Sequence, residues 1–257
     1  MALLLFFATI PVILIMLYVY NKDKNKEPIT LLIKLFLSGF LACYLVLVVS
    51  DLLGIFLPFM EADNRTTFET FLYAFVGVAL VEELCKWVMV MLVGYTHNAF
   101  DEIYDILLYA VFVSLGFAFI ENIMYVTSLN SLKTAMIRGI SAVPSHACDA
   151  VFMGYFLSIA KQNAINNKKR YEKKYLILSI LAPTLLHGTY DFLLMSGIKW
   201  STEIFFVFVI ILYFISIKRL RKLASQNRKM IKRNRFCRKC GRPINTPICP
   251  YCGNVHK

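Results

Sequence analysis

Apolar residues gather into long runs separated by short polar segments, at roughly 2–20, 29–50, 68–94, 104–127, 132–160, 175–197 and 201–217. Each reaches the roughly 17–25 residues that a helix needs to cross a hydrocarbon core. Backbone groups in such a core must be satisfied within the protein, which leaves helices as the natural solution for runs of this length. The pattern therefore predicts an all-α fold, a polytopic membrane helical bundle of about seven spans. After the last run the character changes to a basic stretch from Lys218 and then a short cysteine-rich end. The predicted organisation is a transmembrane domain over 1–217, a basic linker over 218–235 and a small metal-binding module over 236–257.

Composition strengthens this picture. Hydrophobic residues make up 58% of the 257 residues, and mean hydropathy is +0.62, well above a soluble domain. The net charge of +12 first suggests nucleic acid, but its distribution argues otherwise. Basic residues cluster in "NKDKNK" (21–26), "KKRYEKK" (168–174) and the stretch from Lys218, after the first, fifth and seventh runs. In an alternating chain these share one side, which the excess of Lys and Arg makes cytoplasmic. The N-terminus is then outside and the C-terminus inside. The acidic loop "EADNRTT" falls on the outer side, while "YTHNAFDEIYD" falls inside with no Lys or Arg and is neutral to the assignment. The first run lacks a charged leader and a small-residue cleavage site, so an uncleaved anchor is expected. The basic linker reads as a flank held against anionic head groups, each nearby cation contributing about 1 kcal/mol. Nucleic acid is not an expected partner; the lipid bilayer is.

Against this background, a few polar groups stand out. The third run carries Glu82, Glu83 and Lys86 in "VEELCKW", and the fourth carries Glu121 and Asn122. The fifth has Arg138, His146 and Asp149, and the sixth has His187 and Asp191. A charge at the bilayer centre costs roughly 2.5–3.5 kcal/mol, so five of them, Glu82, Glu83, Lys86, Glu121 and Asp191, total on the order of 15 kcal/mol gross. That rivals the net stability of a whole domain, about 5–15 kcal/mol. Dispersed over lipid-facing surfaces they would be hard to tolerate, so they are expected to converge inside the bundle. Lys86 lies three and four residues after the two glutamates and can pair with either, and His187 and Asp191 share a helix face. Glu82 and Glu83, about 100° apart, are not expected to point at one spot. Asp149 is expected to cap or pair locally with Arg138.

Two imidazoles and a carboxylate leave an open position on a zinc ion, and a separate carboxylate can take a proton from its water. This set points to hydrolysis at membrane depth. A proton- or ion-coupled transporter would also bury such groups, although no internal repeat is visible; a noncatalytic scaffold leaves the charges unexplained.

At these residues the sequence resembles the PrsW family of intramembrane proteases, related to the CAAX prenyl endopeptidases and bacteriocin-immunity-type membrane proteins. The resemblance rests on Glu82-Glu83-x-x-Lys86, Phe117-x-x-x-Glu121-Asn122, the His146 segment and His187-x-x-x-Asp191, in order over about 68–197. It implies a helical membrane protease that makes the first cut in a membrane-anchored regulatory protein such as an anti-sigma factor. On this resemblance Glu82 or Glu83 is the general base, with a tilt toward Glu82 and with Glu83 holding Lys86. Glu121, His146 and His187 would hold a catalytic zinc, and Asp191 would orient His187.

The tail lies outside that motif set. Cys237, Cys240, Cys249 and Cys252 form C-x2-C-x8-C-x2-C, with a glycine after each pair. Four thiolates at this spacing predict a closed, structural zinc site of the zinc-ribbon type. So short a segment builds no core, and the metal would supply most of its folding energy. With few aromatic residues, the ribbon is expected to dock a cytoplasmic protein rather than nucleic acid. Cys43, Cys85 and Cys148 read as plain core residues.

Overall fold

The computed structural model describes residues 2–60, 62, 64–227, 235–236, 243–244 and 252. Helices dominate them: α1 (Ala2–Lys22), α2 (Ile29–Phe56), α3 (Thr67–Leu72), α4 (Val81–Met89), α5 (Asp105–Leu129), α6 (Leu132–Ile140), α7 (Ala142–Ile165), α8 (Lys169–Met195) and α9 (Ser201–Ser225). Segments of wider π winding, Tyr73–Leu80 between α3 and α4 and Val90–Tyr95 after α4, make one unbroken rod over 67–95. Among the described residues the only strands are Arg235–Phe236 and Pro243–Ile244, paired antiparallel.

Local chemistry sets several boundaries. Thr66 opens the 67–95 rod with a reciprocal cap: its hydroxyl accepts from the Glu69 N–H, while Glu69 accepts from the Thr66 N–H at 2.8 Å. Asn130, at φ 44°, ends α5 in the left-handed region, and the Ser131 hydroxyl caps α6 by accepting from the Thr134 N–H. The fifth apolar run is not the single helix its hydropathy predicts. It breaks at Ser141 into a short α6 and a long α7, so that Arg138 and His146 leave the joint on separate helices.

Helix α5 is the axis of the bundle. Residues 105–118 are buried throughout, and neighbours approach its backbone where a side chain is absent. A Cβ on Gly39 of α2 would stand 2.2 Å from the Val113 carbonyl oxygen, and one on Gly116 would stand 1.9 Å from that of Phe36. A Cβ on Gly154 of α7 would likewise stand 2.4 Å from the Leu107 Cα. Small residues at crossings are how membrane helices gain packing when lipid offers no hydrophobic advantage. Buried polar bonds pin the same axis: the Asn122 amide donates to the Ala8 carbonyl of α1, and the Ser114 hydroxyl to the His146 carbonyl of α7.

The outside carries many large apolar side chains. Exposed positions include Phe6, Leu14 and Leu17 of α1, Ile33, Leu37 and Leu41 of α2, and Phe206, Ile210 and Phe214 of α9. Apolar patches of this extent need a cover, which a bilayer provides. Helices α1, α2, α5 and α8 are each long and apolar enough to cross one. The chain is a multi-pass membrane protein.

Candidate active site

The seven expected site groups, Glu82, Glu83, Lys86, Glu121, His146, His187 and Asp191, meet. Helix α4 presents Glu82, Glu83 and Lys86, all buried, in the rod between the two π-wound segments. The Lys86 ammonium, 1% exposed, donates to Glu83 Oε1 at 2.8 Å and Glu82 Oε2 at 3.1 Å. It also donates to His146 Nδ1 at 3.1 Å and lies 4.0 Å over the ring of Phe117. The two glutamates thus do converge, contrary to the expectation from their 100° offset. Their two-carbon stems straddle the helix face, and the ammonium reaching back from the next turn draws both carboxylates together.

The two imidazoles complete the centre. His146 of α7 and His187 of α8 stand edge to face, with ring centroids 5.1 Å apart. Each ring has one nitrogen turned to the α4 cluster and the other to a carboxylate. His146 Nδ1 accepts from Lys86, which leaves Nε2–H to donate to Glu121 Oε2 at 2.8 Å. His187 Nδ1 stands 3.0 Å from Glu83 Oε1, and Nε2 stands 3.3 Å from Asp191 Oδ2 and 3.8 Å from Glu82 Oε2. A ligand-capable atom from each of Glu82, Glu83, His146 and His187 lies within 4.8 Å of every other, a grouping that could hold a metal ion.

Glu121 stands outside that grouping. Besides His146, it binds the Arg138 guanidinium at 2.9 Å. Arg138 is therefore the partner of Glu121, not of Asp149 as expected; the break at Ser141 turns it toward α5, where Asn122 Oδ1 also accepts from it. Asp149, one turn beyond His146, faces the site instead, and the spacing of three is the sequence signal for that shared face. Its Oδ1 joins Glu83 Oε2 and Ser145 Oγ as buried atoms without a hydrogen-bond partner among the described residues.

A cavity of about 440 Å³ opens over this centre. Glu82, Glu121, His146, Asp149, His187 and Asp191 line it, with Tyr125, Tyr190 and Phe205 among its aromatic walls, whereas Glu83 and Lys86 lie behind the wall. One of the adjacent glutamates faces open space and the other is sealed. Of the four tail cysteines, Cys237, Cys240 and Cys249 lie outside the described residues, and Cys252 is half-buried.

Together, the helical membrane bundle and the polar cavity of acids and imidazoles inside it define a membrane protein with a buried ionisable centre, as an intramembrane hydrolase requires. The family model described as PrsW family intramembrane metalloprotease matches residues 27–217. The chain is 39% identical over 217 residues to the Protease PrsW of Oceanobacillus iheyensis, covering 84% of this chain and 94% of the relative. It is 34% identical to the Protease PrsW of Clostridioides difficile over 87% of this chain and 92% of that one. To the Protease PrsW of Bacillus subtilis it is 31% identical over 84% and 94%. No solved structure matches the chain. The chain belongs to the PrsW family of intramembrane metalloproteases, and this membership favours the protease over the transporter and the scaffold.

Proposed function

We propose that the chain cuts a peptide bond of a membrane-anchored regulatory protein, such as an anti-sigma factor, in the cavity over α4. The observation that carries this reading is the gathering of acids and imidazoles from four helices around a single cavity inside an apolar bundle. Glu82, the glutamate that faces the cavity, is the general base. It takes a proton from the attacking water, and that proton passes to the leaving amine as the peptide C–N bond breaks. Glu83 and Lys86 fix the base from behind: with its ammonium bonded to both carboxylates, Lys86 leaves Glu82 little freedom to turn away. Asp191 and Glu83 orient His187, and Glu121, itself held by Arg138, orients His146.

The residues present fit a metal. The centre already surrounds one cation, the Lys86 ammonium, and the sealed Glu83 retains an unpartnered oxygen. His146, His187 and, through its unpartnered oxygen, Glu83 would hold a zinc ion once the Lys86 ammonium gives up His146 Nδ1 and rests on the carboxylates alone. When bound, it would acidify a coordinated water and polarise the scissile carbonyl. Glu121 then acts through His146, as carboxylates behind metal-binding histidines commonly do.

In this reading 1–217 is the protease domain, the basic flanks place the C-terminus in the cytoplasm, and the tail over 236–257 is a zinc ribbon that docks a cytoplasmic protein. The test is cleavage of a single-span substrate by the purified protein in proteoliposomes. His146→Ala and His187→Ala are each expected to lower the rate by about 10²-fold or more, the usual contribution of groups of this kind. Full rates in both variants would end the proposal.

A further inference from the structure

Away from the cavity, the opposite end of α5 holds a second cluster of covered acids. Asp23 follows α1, Glu102 lies in the connection after the 67–95 rod, and Asp105 is the first residue of α5. They are 3%, 4% and 0% exposed, and an oxygen from each lies within 4.8 Å of the others. We propose that these three carboxylates form a binding site for a hard divalent cation, Mg²⁺ or Ca²⁺, distinct from the catalytic centre.

The hydrogen bonds show what the cluster lacks. Asp105 Oδ2 accepts from the N–H groups of Asp101 and Glu102 at 3.1 and 2.7 Å, and Asp23 Oδ1 accepts from the Asn25 N–H at 3.2 Å. Glu102 accepts from the side-chain amides of Asn25 and Asn227. The remaining oxygens, Asp23 Oδ2 and Asp105 Oδ1, are buried with no partner among the described residues. Lys26 does not supply one: its ammonium donates to the carbonyls of Tyr20 and Asp23 and forms no ion pair with either carboxylate. Among the described residues no Lys or Arg forms an ion pair with Asp23, Glu102 or Asp105. Buried carboxylates without a direct ion-pair partner are strongly disfavoured; the charge of Lys26 offsets part of this for Asp23 and the N-terminus of α5 part of it for Asp105.

The donor chemistry selects the ion. All three groups offer hard oxygens, with no sulfur or imidazole among them, which suits Mg²⁺ or Ca²⁺ and not zinc. Two oxygens bound to one such ion at 2.0–2.6 Å stand at most about 4–5 Å apart, the spacing seen here. The cation would clasp the end of α1, the turn into α5 and, through Asn227, the segment that follows α9.

The test is thermal melting of the full-length chain in detergent, exchanged into divalent-free buffer and then titrated separately with MgCl₂ and CaCl₂. The wild type should gain roughly 5–10 °C at a hundredfold excess over Kd, and the salt that acts at lower concentration identifies the ion. Asp23→Asn and Asp105→Asn keep the existing acceptors and replace each orphan oxygen with an amide. Both should melt no lower than the metal-free wild type and fail to respond. Glu82→Gln, altered only in the cavity, should respond as the wild type does. No response in the wild type, or an equal response in both Asn variants, would overturn the proposal.

Discussion

The adjacent glutamates divide two tasks that their sequence position does not separate. Glu82 lines the cavity, whereas Glu83 is sealed against Lys86 and His187. Breaking a buried ion pair costs about 3–5 kcal/mol because the surviving charge loses its partner. Glu83→Gln is therefore expected to lower the melting temperature clearly, with a stability loss toward the lower end of that range because Glu82 still accompanies Lys86. Equal melting of Glu83→Gln and the wild type would contradict this division. Glu121 contributes differently. It touches His146 and Arg138 and stands outside the four-residue grouping, so Glu121→Gln should cost about 10–100-fold in cleavage rate or metal affinity, as partners of metal-binding histidines do. A change as large as that of His187→Ala would instead assign Glu121 a direct place in the chemistry.

Close crossings around α5 hold the acids and imidazoles in register. Gly116 meets the backbone of α2 at the Phe36 carbonyl, and Phe117, the next residue, carries the Lys86 ammonium over its ring. Gly116→Val should force α2 from α5 and cost about 1–3 kcal/mol or more, read as a lower melting temperature together with lost cleavage. A fully active, fully stable variant would show that the crossing yields more readily than its contacts imply. The winding of the rod also matters here, since π segments flank α4 on both sides and such segments recur at functional sites. Nothing in "YAFVGVAL" announces that winding, because the side chains are those of an ordinary apolar helix. The break at Ser141 was equally hidden, in a stretch whose hydropathy runs on through it. The motif residues themselves were legible because a charge in an apolar run has a high cost and therefore a reason. Partners within one helix were legible too, Lys86 for the glutamates and Asp191 for His187; the partner of Arg138 was not, because it finds Glu121 only once α6 and α7 part.

The bundle as a whole separates a lipid-facing exterior from the polar centre over α4, and hydropathy made that division visible in advance. Covered acids at its end were less visible. In "NKDKNK" the lysines dominate the reading, yet Asp23 is the buried member and Lys26 turns to backbone carbonyls. Burial pushes the carboxyl groups of Asp23 and Glu27 above their ordinary range, a property that no local charge count reveals. The proposed division into protease and tail predicts that removing 236–257 eliminates one zinc per chain while cleavage by the remaining domain persists. Unchanged zinc content by elemental analysis would count against the ribbon. The central claim, that a base facing the cavity drives peptide cleavage inside the membrane, is tested most directly by Glu82→Gln in proteoliposomes with a single-span substrate. The expected result is a rate about 10²-fold or more below the wild type from a protein that still inserts and folds, melting no lower than Glu83→Gln because Glu83 still accompanies Lys86. Cleavage at the wild-type rate by that folded variant would contradict the account.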